Sequence, residues 1–276
     1  MKRSIRLVLA AILCATAGLG VSAEPLTFGI VPQQSAKTLA QRWTPITTYL
    51  SKKTGERIRF ATAPDIPTFE QRVLAGEYDI AYMNPYHYTV FHRRPGYEAI
   101  AKEADKKIRG ILVVREDSDL ETLADLAGLK LAFPSPAAFA ASVLPMAEIK
   151  QRGISFEPSY VSSHDSVYMG VARGFFAAGG GIMRTFDNTD PSVRSQLRIL
   201  WTTRGYTPHA IATHPRVGPT VAKALQRGLL EMNRDPRGRA LLEGISFKGI
   251  EAAQDSDWDD VRALDIDLLD ALLERH

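Results

Sequence analysis

The sequence predicts an α/β protein in two lobes, with parallel strands covered by helices on both faces and a cleft between the lobes. Two observations carry this. Short apolar and β-branched runs alternate with helical patterns from Leu26 onward, which is the spacing of a sheet covered on both faces. The same order restarts after Gly110 with no low-complexity linker and no sequence repeat, so two tandem units fit two lobes better than one large sheet.

The first 23 residues read as an export signal rather than as part of this fold. Lys2, Arg3 and Arg6 precede an uncharged apolar stretch from Leu7 to Val21, and Val21-Ser22-Ala23 puts small residues where a signal peptidase cuts. That stretch falls short of the roughly 20 residues a membrane-spanning helix needs. The 34 basic residues exceed the 31 acidic ones by three, and the signal holds all three of the excess. From Glu24 onward the charges balance, and no basic run remains as a nucleic-acid footprint. The one cysteine, Cys14, also lies in the signal, and Leu13 before it is too large for a lipoprotein site. The mature chain is therefore expected to have no disulfide and no thiol chemistry.

Leu26 to Val31 is the opening strand, ended by Pro32. A helix follows from Lys37 to Leu50, with Lys52-Lys53-Thr54-Gly55 as its basic last turn and glycine stop. Arg57 to Ala61 is the second strand and Pro67 to Ala75 a short helix. Asp79 to Met83 is the third strand, running into Asn84-Pro85. After Gly110, Ile111 to Val114 is a strand, and Asp119 is placed to cap a helix through Ala127 that stops at Gly128. Lys130 to Phe133 is a strand, and Pro134-Ser135-Pro136 opens a helix to about Gln151. His164 to Arg173 is helical, and Phe175 to Met183 is an apolar glycine-rich stretch. Leu197 to Thr202 and His209 to Thr213 are strands, with helices from there to the end.

Several of these landmarks together resemble one family. They are Phe28 to Pro32 followed by Trp43, Pro45 and Leu50; Gly76 to Tyr82 running into Asn84-Pro85-Tyr86-His87-Tyr88; Arg109 to Asp117; Leu120 to Phe133; His164-Asp165; and Gly205 to Pro215. In this order, over essentially the whole mature chain, they are similar to the phosphate/phosphonate class of periplasmic solute-binding proteins of ABC importers. The resemblance implies the α/β type II periplasmic-binding-protein fold, each lobe a mixed sheet flanked by helices, with one lobe from residues 24–107 plus 208–276 and the other from 108–207. It also implies two crossover segments and a ligand held at the interface by hinge closure.

The resemblance further implies where the ligand sits. The family holds an oxyanion on a hydroxyl-rich loop that opens a helix, where the first N–H groups lack internal partners. The matching residues are Ser135 to Ser142, including Ala137, Ala138 and Phe139, and most hydroxyl positions have become alanine or phenylalanine. Backbone donors remain; the alternative is that the alanines simply favour helix and pack. Tyr88 matches a pocket tyrosine, with Tyr82, Asn84 and Tyr86 around it on the same strand end; the alternative is core packing. His164 matches a pocket histidine, with helix capping as its alternative. Gln33 and Gln34 reach toward the cleft after the first strand. Where the family has an acidic residue this chain reads Ala178 to Arg184 without a carboxylate, and the glycines there permit close backbone approach to the ligand or the other lobe.

Catalysis is not expected. There is no cysteine nucleophile in the mature chain, no His-Glu-x-x-His pattern and no Gly-x-Ser-x-Gly elbow. His87 and His92 are not spaced as helical metal ligands and nothing acidic adjoins them in sequence, and no Gly-Lys-Ser/Thr follows Gly179 to Gly181. The resulting expectation is a monomeric periplasmic receptor, without metal or cofactor, that delivers a small polar or oxyanionic ligand to an ABC permease. The alternative is a receptor of the same fold that signals through a sensor histidine kinase.

Overall fold

A computed structural model of the chain describes residues 24–274. The expected export signal lies outside the described residues. The first half of the chain contributes four strands, β1 (Leu26–Ile30), β2 (Ile58–Ala61), β3 (Ile80–Met83) and β4 (Glu98–Glu103). Then come β5 (Gly110–Arg115), β6 (Lys130–Phe133), β7 (Glu157–Tyr160), β8 (Ala178–Ile182) and β9 (Leu197–Thr202), followed by β10 (Ala210–Thr213) and β11 (Ile250–Ala252).

These strands make two mixed sheets, as the resemblance implies, where the alternation alone reads as parallel. The first has the order β11-β4-β10-β3-β1-β2 and the second β7-β6-β8-β5-β9. Each has a parallel trio, β2-β1-β3 and β7-β6-β8, extended by antiparallel strands. The chain passes from the first sheet to the second between β4 and β5, and returns between β9 and β10. Ile108 and Tyr206 pair where the two connections run side by side.

The first helices follow from local chemistry. In α1 (Ala36–Thr54), Ser35 caps the start by accepting from the Thr38 N–H, and Gly55 closes the end at φ 79°. Leu39, Trp43, Ile46 and Leu50 recur at helical spacing and are buried against the sheet. Asp65 caps α2 (Ile66–Leu74) in the same way.

After β3 the sequence suggests a strand end running on through Asn84-Pro85, and here the structure differs. Asn84 is an N-cap whose Oδ1 accepts from the His87 N–H, and Pro85 begins α3 (Pro85–Arg93). Proline fits there because the first turn of a helix has no use for its missing N–H. The helix expected from Asp119 shrinks to a single 3₁₀ turn, Leu123–Leu126. Asp125 curls back to accept from the N–H groups of Glu121 and Thr122, which closes the segment on itself. The helix expected from Ser135 to Gln151 is interrupted: a π-helical turn, Phe139–Val143, leads into α4 (Leu144–Gln151). The glycine-rich stretch is β8, a fully buried central strand. β4, β7 and β11 had no expectation from sequence.

Beyond these, α5 (His164–Ala172) and α6 (Met183–Asp187) flank the second sheet, and helices at Pro219–Glu231 and Pro236–Gly244 return to the first. The two faces of the second sheet carry separate apolar clusters, around Tyr168 and around Phe133. Ala137 to Ala141 and Leu144 instead join the large core of the first sheet. The turn that opens α4 thus packs on its own sheet while its apolar side chains join the core of the other. Among the described residues no helix is long and apolar enough to cross a membrane.

Candidate functional site

The site forms where strand ends of both sheets face each other. Val31 and Gln33 follow β1, Asn84 follows β3, His209 precedes β10, and Glu103 ends β4. The second sheet contributes the π-helical turn after β6, His164 at the start of α5, and Ile182 and Arg184 at the junction of β8 and α6. Ligands in open α/β sheets bind beyond the carboxyl ends of the parallel strands, and this is that position in both halves.

Between these elements lies a chamber of about 10 Å³ lined by Gln33, Asn84, Ala138 to Ala141, His164 and His209, with apolar walls from Val31, Ile66, Ile108 and Ile182. That is room for about one water, so the two sheets are closed on each other. Polar bonds hold the closure. Asn84 Nδ2 donates to the Ala137 carbonyl at 3.1 Å, the His164 N–H to the Gln33 carbonyl at 3.0 Å, and the Ser35 N–H to Asp165 Oδ2 at 2.9 Å.

The turn presents donors to this chamber. It runs unbroken into α4, and the first N–H groups of such a helical segment have no partner within it. The bonds made in the turn are those of Ser142 and Val143 to the Ala138 carbonyl, which leaves the N–H groups of Phe139, Ala140 and Ala141 outside the ladder. The two hydroxyls this loop retains, Ser135 and Ser142, are buried and have no hydrogen-bond partner. The turn sits this close to the sheet because of two glycines. A β-carbon on Gly110 would run into the Ala140 carbonyl oxygen, and one on Gly180 into that of Ala141. The glycine run therefore admits elements of its own lobe: Gly179 faces Val167, Gly180 the turn, and Gly181 the Tyr168 hydroxyl.

A polar network crosses the cleft beside the turn. Arg184 donates from Nη2 to Gln33 Oε1 and from Nη1 to Glu103 Oε2, each at 3.3 Å. Its guanidinium lies over the rings of Phe247 and Tyr82, at 5.2 and 5.7 Å from their centroids. With Oε1 of Gln33 accepting, its amide nitrogen donates to His209 Nε2 at 2.9 Å. This places the imidazole proton on Nδ1, which is buried and has no acceptor. His209 also stacks on Tyr82, centroids 5.0 Å apart. His164 Nδ1 bonds Thr185 Oγ1 at 2.9 Å, and Tyr168 holds the same hydroxyl at 2.7 Å.

Burial sets the charge states. Desolvation, helped by the Arg184 charge, pushes the His164 imidazole down to about 3 and the His209 imidazole well below its usual range. Both rings are neutral hydrogen-bonding groups, so Arg184 is the cation that faces the chamber's edge. Burial raises the Glu103 carboxyl, against the pull of Arg184. For a histidine whose folded value is depressed, stability is full above its unfolded value near 6.5 and is lost as pH falls through that range. Each histidine is therefore expected to remove about 1 kcal/mol of stability between pH 7 and pH 5.5. Urea titrations at the two pH values check this. The His164→Gln protein should lose less on acidification than the parent, and an equal loss would mean His164 is not buried neutral.

Of the residues singled out in the sequence, the chamber brings together Gln33, Asn84, Ala138, Phe139 and His164. Ser135 and Ala137 lie behind it in the same loop; the Ala137 carbonyl serves the inter-lobe bond from Asn84. Tyr86 and Tyr88 are not in the cleft, which corrects the placement expected for both. The Tyr86 hydroxyl accepts from the Leu269 N–H, and the Tyr88 hydroxyl donates to Asp255 Oδ1 at 2.9 Å while its ring packs 4.4 Å from Trp258. Gln34 is turned aside, its Oε1 accepting from Arg42. Carboxylates do accompany the two histidines of α3: His87 bonds Glu70 at 2.9 Å, and His92 Nε2 lies 3.4 Å from Asp255. Among the described residues no group of three or more His, Cys, Asp or Glu side chains is placed to hold a metal ion.

His209 and Glu103 carry the cleft network and were not among the sequence candidates. The signal for His209 is its place just before β10, whose Ala210 pairs with Met83 beside Asn84. That pairing cannot be read without knowing that β10 inserts next to β3.

Known proteins share this architecture over most of its length. The family described as "ABC transporter, phosphonate, periplasmic substrate-binding protein" matches residues 28–258. The chain is 23% identical over 225 residues to the phosphate-import protein PhnD of Mycolicibacterium smegmatis, spanning 74% of this chain and 70% of that one. It is 21% identical over 256 residues to the phosphonates-binding periplasmic protein of Escherichia coli, spanning 87% and 76%. Among solved structures, a binding protein component of an ABC phosphonate transporter from Pseudomonas aeruginosa aligns with a TM-score of 0.82 at 18% identity, covering 88% of this chain and 86% of that one. PhnD1 from Prochlorococcus marinus, in complex with methylphosphonate, aligns with a TM-score of 0.78 at 19% identity, covering 87% and 96%. These structures share the two-lobed fold.

Proposed function

The chain belongs to the periplasmic substrate-binding proteins of phosphonate ABC transporters, and from that premise we propose that it closes its lobes over one small oxyanion of the phosphate or phosphonate class. Proteins of this family are transporter components rather than enzymes, and they work in the periplasm. The partner that receives the ligand is the membrane permease of the importer. The observation that carries the ligand class is the donor set at the turn: Phe139, Ala140 and Ala141 line the closed chamber with their N–H groups outside the ladder, and the same loop holds two unpartnered hydroxyls. A helical start of this kind favours negative charge. The relatives named for phosphate, phosphonates and methylphosphonate point to the same chemistry.

Because the chamber has room for about one water, binding requires the lobes to part and reclose. The moving bodies are residues 24–107 with 208–276 and residues 108–207, turning about the paired connections at Ile108 and Tyr206. The protein acts as a monomer after removal of residues 1–23. No feature of the fold or the site favours a sensor-kinase partner. The test is a thermal-shift series on the mature protein with inorganic phosphate, methylphosphonate, sulfate and glutamate, followed by calorimetric titration. Ligand at a hundred times its Kd adds about 2.7 kcal/mol of stability, so phosphate or methylphosphonate should raise Tm clearly. Stabilisation by glutamate alone, or by none of the four, would overturn the reading.

A further inference from the structure

A second cavity adjoins the closed chamber and gives the ligand a second end. It measures about 290 Å³ and shares Ile108, Ile182 and His209 with the chamber, so those three side chains are the wall between the two. Its polar lining is lopsided. Lys106, Lys107, Arg109 and Arg184 face it, against the single carboxylate of Glu103. Lys107 is partly neutralised by Asp260 at 3.6 Å, and Arg109 donates to the Thr203 carbonyl at 2.9 Å. Arg184 makes its two bonds at 3.3 Å, long for charge-assisted pairs. A guanidinium has about five N–H donors, so its capacity is not spent on Gln33 and Glu103.

Two buried polar atoms in the lining also lack partners. His209 Nδ1–H is a donor without an acceptor, on a residue 2% exposed, and Glu103 Oε1 is an acceptor without a donor. Such atoms cost free energy unless something completes them. Among the four lining cations the acceptor that suits Arg184 and His209 is an anion, while Glu103 Oε1 needs a separate donor, which water or a ligand hydroxyl supplies.

We infer that the solute carries two anionic groups: an oxyanion held at the Phe139–Ala141 turn, and a second anionic group, a carboxylate or another phosphoryl, that enters this cavity toward Arg184 and Lys106. This rests on the reading of the turn as an oxyanion site and adds the chemistry of the ligand's far end. The same cavity disfavours a ligand whose far end is an amine, because four cations would face it and one carboxylate, already bonded to Arg184, would receive it.

The test compares phosphonates that differ only at the far end, by calorimetry on the mature protein: phosphonopropionate, propylphosphonate and aminoethylphosphonate. Phosphonopropionate is expected to bind at least tenfold tighter than propylphosphonate, and aminoethylphosphonate weaker than both. Arg184→Gln should shrink the carboxylate-to-alkyl ratio toward one. Lys106→Gln sits at the solvent edge of the cavity and should shrink the same ratio by about threefold, in a salt-dependent way; it keeps the test decisive if the Arg184 variant folds poorly. Equal binding of the three ligands, or a preference for the amine, would overturn the inference while leaving the oxyanion reading intact. If inorganic phosphate binds and none of the three phosphonates does, the inference falls alone; if neither phosphate nor any phosphonate binds, both fall together.

Discussion

Tyr88→Ala is expected to lower the unfolding free energy by about 3–5 kcal/mol, the range for removing a large buried ring, and to leave ligand affinity within about twofold. The ring is fully buried, lies 4.4 Å from Trp258 and 5.7 Å from His92, and places its hydroxyl 2.9 Å from Asp255. Truncation opens a cavity against Trp258 and takes one donor from Asp255, which keeps its ion pair with Arg262. At roughly 2–4 °C per kcal/mol for a chain of this size, Tm should drop by about 10 °C. Tyr88→Phe keeps the ring and should cost only about 1 kcal/mol, the worth of one hydrogen bond. Denaturant melts and calorimetric titration on the same preparations separate the two properties. A tenfold loss of affinity with Tm unchanged would put Tyr88 back in the cleft.

The reason Tyr88 was misplaced from sequence is geometric. Its match to a pocket tyrosine places Tyr88 in the cleft, with Tyr82, Asn84 and Tyr86 around it on one strand end. Asn84 is instead the cap of α3, and on a helix residues two apart point to different sides. Tyr86 goes to Leu269 and Tyr88 to Asp255 and Trp258, while Asn84 alone stays at the cleft. The opening strand, α1 with its basic last turn and glycine stop, and the restart of the pattern after Gly110 were legible because each rests on local periodicity and punctuation. β4 and β11 were not. Their neighbours in the sheet are β10 and each other, and strand β4 reads Glu98-Ala99-Ile100-Ala101-Lys102-Glu103, with charges at both ends and no turn signal of its own. The loop from Ser135 to Ser142 was found because its position depends on sequence order. The Gln33–His209–Arg184–Glu103 network was not, because its four members come from four separate strand ends that only the sheet order brings together.

Gly180→Ala is expected to be the most damaging single change to binding. A β-carbon there would fall inside the van der Waals envelope of the Ala141 carbonyl oxygen, and 2.7 Å from Phe133 Cδ1. The phenylalanine ring has some freedom to turn, but the carbonyl is part of the turn itself. Relief therefore moves Ala141 away from β8, and with it the N–H groups of the three residues Phe139, Ala140 and Ala141 that line the chamber. Overpacking of this kind costs up to about 3 kcal/mol, and a donor set displaced by about 1 Å loses on the order of a hundredfold in function. Affinity for methylphosphonate should fall at least tenfold, with Tm lowered by several degrees. Gly110→Ala meets the neighbouring Ala140 carbonyl from the adjacent strand β5 and should behave alike. Gly244→Ala is the control, since a β-carbon there meets nothing within 4 Å. The two cleft glycines also make a joint claim: because both act by moving one turn, the double variant should lose less affinity than the sum of the single losses. Full additivity would mean that the two strands position the ligand independently, and unchanged affinity in Gly180→Ala would mean that the turn is not where the oxyanion is held.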